Sequence, residues 1–297
     1  MTEADASFPD ADSTEASQTD ALKPPPPDAS PDAAADVENP DTSRPGCTMN
    51  TPCSDGISCT LDRCDPETGM CSHTPDSTLC PVGFVCDPSL GCTAGAYADS
   101  PTTLYAANLP SASVAVVGPT AVTMFDIALE PDGTLYGVGS NSALYTIDKV
   151  TASAKVVFML AGQLNALDAA PDGTLYAAGG STVYTINPST GAQTFFLAYP
   201  AGYTSSGDLA IMPGGVMLAT ATGPRGTSDS LLSIDMATRS VTVVGPTGFG
   251  SIWGLAARGT SLFGFTAAGQ ILSLDTATGE GTLLATPGPN FYGASTR

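Results

Sequence analysis

Three oxygen-bearing side chains recur at nearly one offset from a repeated turn. Asp126 and Asp208 each stand five residues before a proline-headed glycine turn, Pro131-Asp132-Gly133 and Pro213-Gly214-Gly215, and Asn165 stands six before Pro171-Asp172-Gly173. If successive repeats carry these positions around one axis, carboxylate and amide oxygens converge, a donor set that suits a hard cation such as Ca²⁺ and metal-assisted hydrolysis. The same side chains have a structural use: a buried carboxylate needs donors, and Asp126 and Asp208 can bond backbone amides of neighbouring repeats. Tyr203, Phe249, Trp253 and Tyr292 fall in the same segments. They either form an aromatic platform for a sugar or peptide or pack between repeats. Residues 93 to 297 contain no His and no Cys, which removes Ser-His-Asp and Cys-His nucleophile systems and the commonest general base. No Gly-x-Ser-x-Gly, His-Glu-x-x-His or phosphate-loop signature occurs.

The elements that must position these residues are short strands in a repeat. Pro131-Asp132-Gly133-Thr134-Leu135-Tyr136 returns 40 residues later as Pro171-Asp172-Gly173-Thr174-Leu175-Tyr176. A second register, strand then turn, aligns without gaps in four copies: Tyr145-Thr146-Ile147-Asp148 with Thr151, Tyr184-Thr185-Ile186-Asn187 with Thr190, Leu232-Ser233-Ile234-Asp235 with Thr238, and Leu272-Ser273-Leu274-Asp275 with Thr278. Apolar and hydroxyl residues alternate at period two, so one face of each strand is buried, and Asp or Asn opens the turn by bonding its own backbone. Thr-Gly at 190–191 and 278–279 supplies a left-handed residue. A weaker fifth copy runs from Tyr105 to Thr120 and lacks its first strand. That strand lies at the other end of the chain, where Phe291-Tyr292-Gly293-Ala294 matches Ile252-Trp253-Gly254-Leu255. The spacing predicts an all-β fold: a five-bladed β-propeller with a split closing blade, its least marked strand falling near Thr93 to Asp99.

The repeat resembles the YVTN/quinoprotein-type β-propellers over residues 103 to 297. That group includes enzymes, periplasmic binding proteins and surface proteins, so the resemblance implies a fold more than an activity. Asp126, Asn165 and Asp208 loosely resemble the Ca²⁺ ligands of propeller lactonases and phosphotriesterase-like hydrolases. An insertion in the unit that carries Leu232-Ser233-Ile234-Asp235, Thr222 to Ser228 with Arg225, reads as a surface loop.

All eight cysteines, Cys47, Cys53, Cys59, Cys64, Cys71, Cys80, Cys86 and Cys92, crowd into 46 residues. Their gaps lack zinc-site spacing and the chain's single histidine, His73, stands alone, so they read as four disulfides of open connectivity in a module too small for its own core. His73 is expected to pack against a disulfide. Cys53-Ser54-Asp55-Gly56, Cys59-Thr60, Asp62-Arg63-Cys64 and Gly69-Met70-Cys71-Ser72-His73 closely resemble the slime-mould-type extracellular cysteine-rich repeat, which implies a matrix or adhesive setting and no catalytic residues.

Residues 1–46 are rich in Asp, Ala, Ser and Pro and carry a net charge of −9, the composition of a disordered, extended tether. The expected division is therefore 1–46 tether, 47–92 disulfide module and 93–297 propeller. A net charge of −20 with no cluster of cations disfavours nucleic acid and anionic lipid. No apolar run is long enough to span a membrane. The acidic Met1-Thr2-Glu3-Ala4-Asp5 is no signal peptide, so the cysteines lead us to expect that Met1 lies downstream of the true start or that a signal has been trimmed. The expected protein is an extracellular or cell-surface monomer without a cofactor, binding a protein or carbohydrate on the propeller face. The alternatives are a Ca²⁺-dependent propeller hydrolase and a structural propeller carrying an adhesive cysteine-rich module.

Overall fold

A computed structural model describes residues 47, 53–81, 84–89, 91–109, 111–224 and 226–296. The tether expected over residues 1–46 and Arg225 of the inserted loop lie outside the described residues. Five four-stranded antiparallel sheets form the blades of a propeller. The first runs from axis to rim as Met124–Leu129, Leu135–Gly139, Ala143–Ile147 and Ala154–Met159. The innermost strands of the next three are Ala166–Ala169, Thr204–Met212 and Ile252–Arg258. The fifth blade is the split one: Gly293–Ser295 from the end of the chain pairs with Ala96–Ser100, followed outward by Thr103–Asn108 and Ser113–Pro119. The weakly marked strand thus lies at Ala96–Ser100, and the ring leaves no free inner edge at its seam.

The local chemistry explains the blades. At the turn between third and fourth strands the oxygen of Asp148 accepts from the Val150 and Thr151 amides, and Asn187, Asp235 and Asp275 make the same pair of bonds. Gly191 and Gly279 take the left-handed conformation there, and Ala152 and Arg239 adopt it in the other two copies at φ 59° and 60°. All five blades slip register at one equivalent place between third and fourth strands, for example between Leu144 and Tyr145, a bulge that adds twist.

Apolar clusters between the sheets hold the blades together. Phe265 and Phe291, both fully buried, meet edge to face at 5.2 Å and fasten the fourth blade to the closing strand. Each such ring contributes about 2–3 kcal/mol of burial. Side chains also lace the inner strands: the amides of Leu167, Ile211 and Leu255 donate to carboxylates of the preceding blade, Asp126, Asp168 and Asp208. Across the seam the Leu129 amide donates to Ser295 Oγ at 2.9 Å, and Thr296 Oγ1 donates to the Ala257 carbonyl.

The four disulfides are Cys47–Cys64, Cys53–Cys71, Cys59–Cys86 and Cys80–Cys92, and no described cysteine is free. The third bridge ties the last cysteines back into the repeat-like segment. His73 departs from its expected role: it lies across a hairpin from Asp62, with Nδ1 2.8 Å from the Asp62 carboxylate and 3.6 Å from Asp55. Its partner is therefore a carboxylate, and the hydrogen bond from His73 holds that Asp62 carboxyl below the usual range. The segment meets the propeller at the split blade, where Asn108 Nδ2 donates to the Phe84 carbonyl at 3.3 Å.

Candidate binding site at the loop mouth of the channel

Strand order gives the central channel two mouths. One is ringed by the loops that enter the innermost strands, the other by the Pro-Asp-Gly turns and the turns after the third strands.

At the loop mouth one residue position is repeated around the axis. Phe125, Asn165, Gly207, Trp253 and Tyr292 immediately precede the matched positions Asp126, Ala166, Asp208, Gly254 and Gly293. With Ser206 they line a cup of about 260 Å³. Backbone irregularity aims the side chains: the innermost strands slip register between Met124 and Asp126 and between Ile252 and Gly254, so Phe125 and Trp253 are the extra residues of bulges. Trp253 and Tyr292 meet edge to face at 4.9 Å, and Phe125 lies over Tyr292 at 6.5 Å with 29° between the planes. Gly207 completes the wall because a Cβ there would overlap Trp253. Asn165 donates through Nδ2 to the Ser205 carbonyl at 3.4 Å, while its Oδ1 is buried without a partner, as is the Ser205 hydroxyl.

The aromatic candidates therefore separate. Trp253 and Tyr292 face the cup; Tyr203 covers Gly223 at the edge of an apolar cluster, and Phe249 packs on Gly281 and another cluster. Phe125 was missed in the sequence, although its place before Asp126 matches Trp253 before Gly254 and would have exposed it.

One layer deeper the channel is closed by carboxyls. Asp126 accepts from its own next amide, Ile127, at 2.8 Å and from Leu167 of the following blade at 2.6 Å. Asp208 does likewise with Leu209 and Leu255. These are the blade-tying bonds that the structural use of both residues requires. Asp99, from the second strand of the split blade, joins them with neither oxygen hydrogen-bonded. A side chain at Gly293 would overlap both Asp126 and Asp99. Burial, and then repulsion from Asp208, push Asp126 well above the ordinary carboxylate range; burial does the same to Asp99, and burial with repulsion from Asp168 to Asp208. Asn165 sits above this layer in the cup. Among the described residues, the non-cysteine group of three whose ligand atoms all lie within 4.8 Å of one another is Asp55, Asp62 and His73, far along the chain from the channel.

The loops around the cup are almost free of charge. Among the described residues of the loop mouth Asp229 is the one Asp, Glu, Lys, Arg or His, and it is spent internally, accepting from the Ile252 amide at 2.7 Å.

No protein-family model matches the chain, and no curated protein does either. Solved structures share its fold. A structure of the nidogen/laminin complex is 14% identical, covers 80% of this chain and 95% of its own, and superposes with a TM-score of 0.50. Hydrazine synthase from Kuenenia stuttgartiensis is 20% identical over 54% of this chain, with a TM-score of 0.40, and the match spans about half (47%) of that chain. BamB from Moraxella catarrhalis is 14% identical over 62% of this chain and 70% of its own, with a TM-score of 0.36. At these identities the likeness is one of fold alone.

Proposed function

We propose that this chain is an exported, non-catalytic binding protein that seats an uncharged group, a sugar ring or a peptide side chain, in the aromatic cup of its propeller. The observation that carries this is the cup itself: three rings at matched blade positions around about 260 Å³, with Asn165 and Ser206 on its wall. Rings supply apolar faces, and the two polar side chains offer hydrogen bonds that orient a ligand. The four disulfides fit an oxidising compartment outside the cytosol. Among the described residues no helix is long and apolar enough to cross a membrane. The tether, the slime-mould-type cysteine module and the YVTN-type propeller would then be successive parts of a monomeric surface protein. The nidogen/laminin structure, itself a complex, is in keeping with such a use of the fold.

The Ca²⁺-dependent hydrolase fits the donor set less well. Ca²⁺ takes six to eight oxygens, whereas among the described residues the channel carboxyls Asp99, Asp126 and Asp208 do not bring three ligand atoms within 4.8 Å of one another.

Trp253 is the chain's only tryptophan, so its emission reports on the cup alone. Titrating the full chain with panels of oligosaccharides and short peptides should give a saturable change in that emission for one class, lost in Tyr292→Ala. A panel that binds by calorimetry while leaving the emission untouched would remove the cup as the site. Binding that vanishes when residues 47–92 are deleted would move the working surface to the cysteine module.

A further inference from the structure

We propose that the opposite mouth of the channel is a second ligand site, independent of the cup, for a linear alkyl polyamine. A cavity of about 970 Å³ opens there, at the top of the size range of small-molecule sites. Residues of all five blades line it, and among the described residues none of the lining is Lys, Arg or His. Asp168 reaches it from the innermost strand of the second blade, with one oxygen on the Ala169 amide and the other on the Ile211 amide, which fixes the carboxylate and leaves each oxygen a further lone pair. Asp172 and Asp235 line the same cavity from turns. Their own backbone bonds hold both below the usual carboxylate range, so they stay charged. The lining also holds Tyr176, Met212, Met236 and Leu255.

The lining thus combines a fixed carboxylate on an inner strand, carboxylates on turns and apolar side chains. A polyamine presents the complement, ammonium groups separated by methylenes. Ammonium at Asp168 also offsets the burial that pushes this carboxyl up to about 7. The acidic residues 1–46 of the chain are excluded as occupant, since they carry a net charge of −9.

The test is calorimetry of the full chain with spermidine, with a neutral α,ω-diol of equal length as control. Saturable one-to-one binding is expected for spermidine and none for the diol. Asp168→Asn, which keeps an acceptor for Ile211, should weaken binding about tenfold or more. Asp172→Asn with Asp235→Asn should weaken it about threefold and flatten its salt dependence. That double variant is expected to fold even if Asp168→Asn does not, because Asn187 already caps the turn equivalent to that of Asp235 and an amide oxygen at 172 can still accept from the Thr174 amide. Three outcomes overturn the proposal: no saturable spermidine binding, equal binding by wild type and the double variant, or binding that tracks Trp253 emission, which would place the ligand in the cup. A lysine-rich peptide that competes at far lower concentration would assign the site to a protein partner instead.

Discussion

The two mouths of one channel have opposite chemistry. The loop mouth is narrow, aromatic and nearly uncharged; the turn mouth is wide, acidic and lined by prolines and methionines. Their difference follows from what each kind of connection must do. Tight turns need a side-chain acceptor for their own amides, and Asp132, Asp148, Asp172, Asp235 and Asp275 all serve that way, so building hairpins deposits charge on one face. The connections into the innermost strands bear no such demand and are free to present Trp, Tyr and Phe. Charge on the turn mouth is thus first a product of folding, which any ligand there would exploit afterwards.

Glycine substitution should break the comparison most sharply. Gly207→Ala drives a Cβ into Trp253 and should cost about 3 kcal/mol, with a shift in Trp253 emission, as measured by denaturant titration. Gly214→Ala on the turn mouth meets open space but sits at φ 91°, and should cost about 1–2 kcal/mol with emission unchanged. Equal costs would mean that the cup is less tightly built than its geometry requires.

Acidity acts next, through the layer between the mouths. A buried carboxyl raised in the folded state binds its proton more tightly there than in the unfolded chain, so stability falls as pH rises from its unfolded value through its folded one. For Asp168 that window runs from about 4 to about 7, and Asp99, Asp126 and Asp208 act in the same direction. Turn acids held low act oppositely, and only below about pH 4. The melting temperature should therefore rise by roughly 5 °C as pH falls from 7.5 to 5, and a steady fall over that range would contradict the raised values. The smallest effect belongs to a single turn: Asp235→Ala should lower the denaturation midpoint slightly and Asp235→Asn by less, because Asn keeps the acceptor for the Ala237 and Thr238 amides.

Much of this architecture is legible without coordinates. Asp or Asn followed three residues later by Thr is a local hydrogen-bonding instruction, and four gapless copies of it count blades. The match of Phe291-Tyr292-Gly293 to Ile252-Trp253-Gly254 locates the seam. The site was half legible: Trp253, Tyr292 and Asn165 could be found by aligning repeats, and Phe125 could have been. Asp99 could not, because it reaches the acid layer from a second strand rather than from the repeated position.

What the sequence determined by itself is therefore whatever depends on neighbours in the chain: strand period, turn chemistry, the number of units and the oxidised cysteines. The tertiary structure decided which cysteines pair, that bulges turn Phe125 and Trp253 into the channel, that Asp126 and Asp208 spend their oxygens on neighbouring blades, and that the turn mouth opens into a cavity. The physical reason is one of range. A turn is specified by bonds spanning two or three residues, whereas the Asp126–Leu167 and Leu129–Ser295 contacts join residues 41 and 166 positions apart, and exist only once the ring has closed.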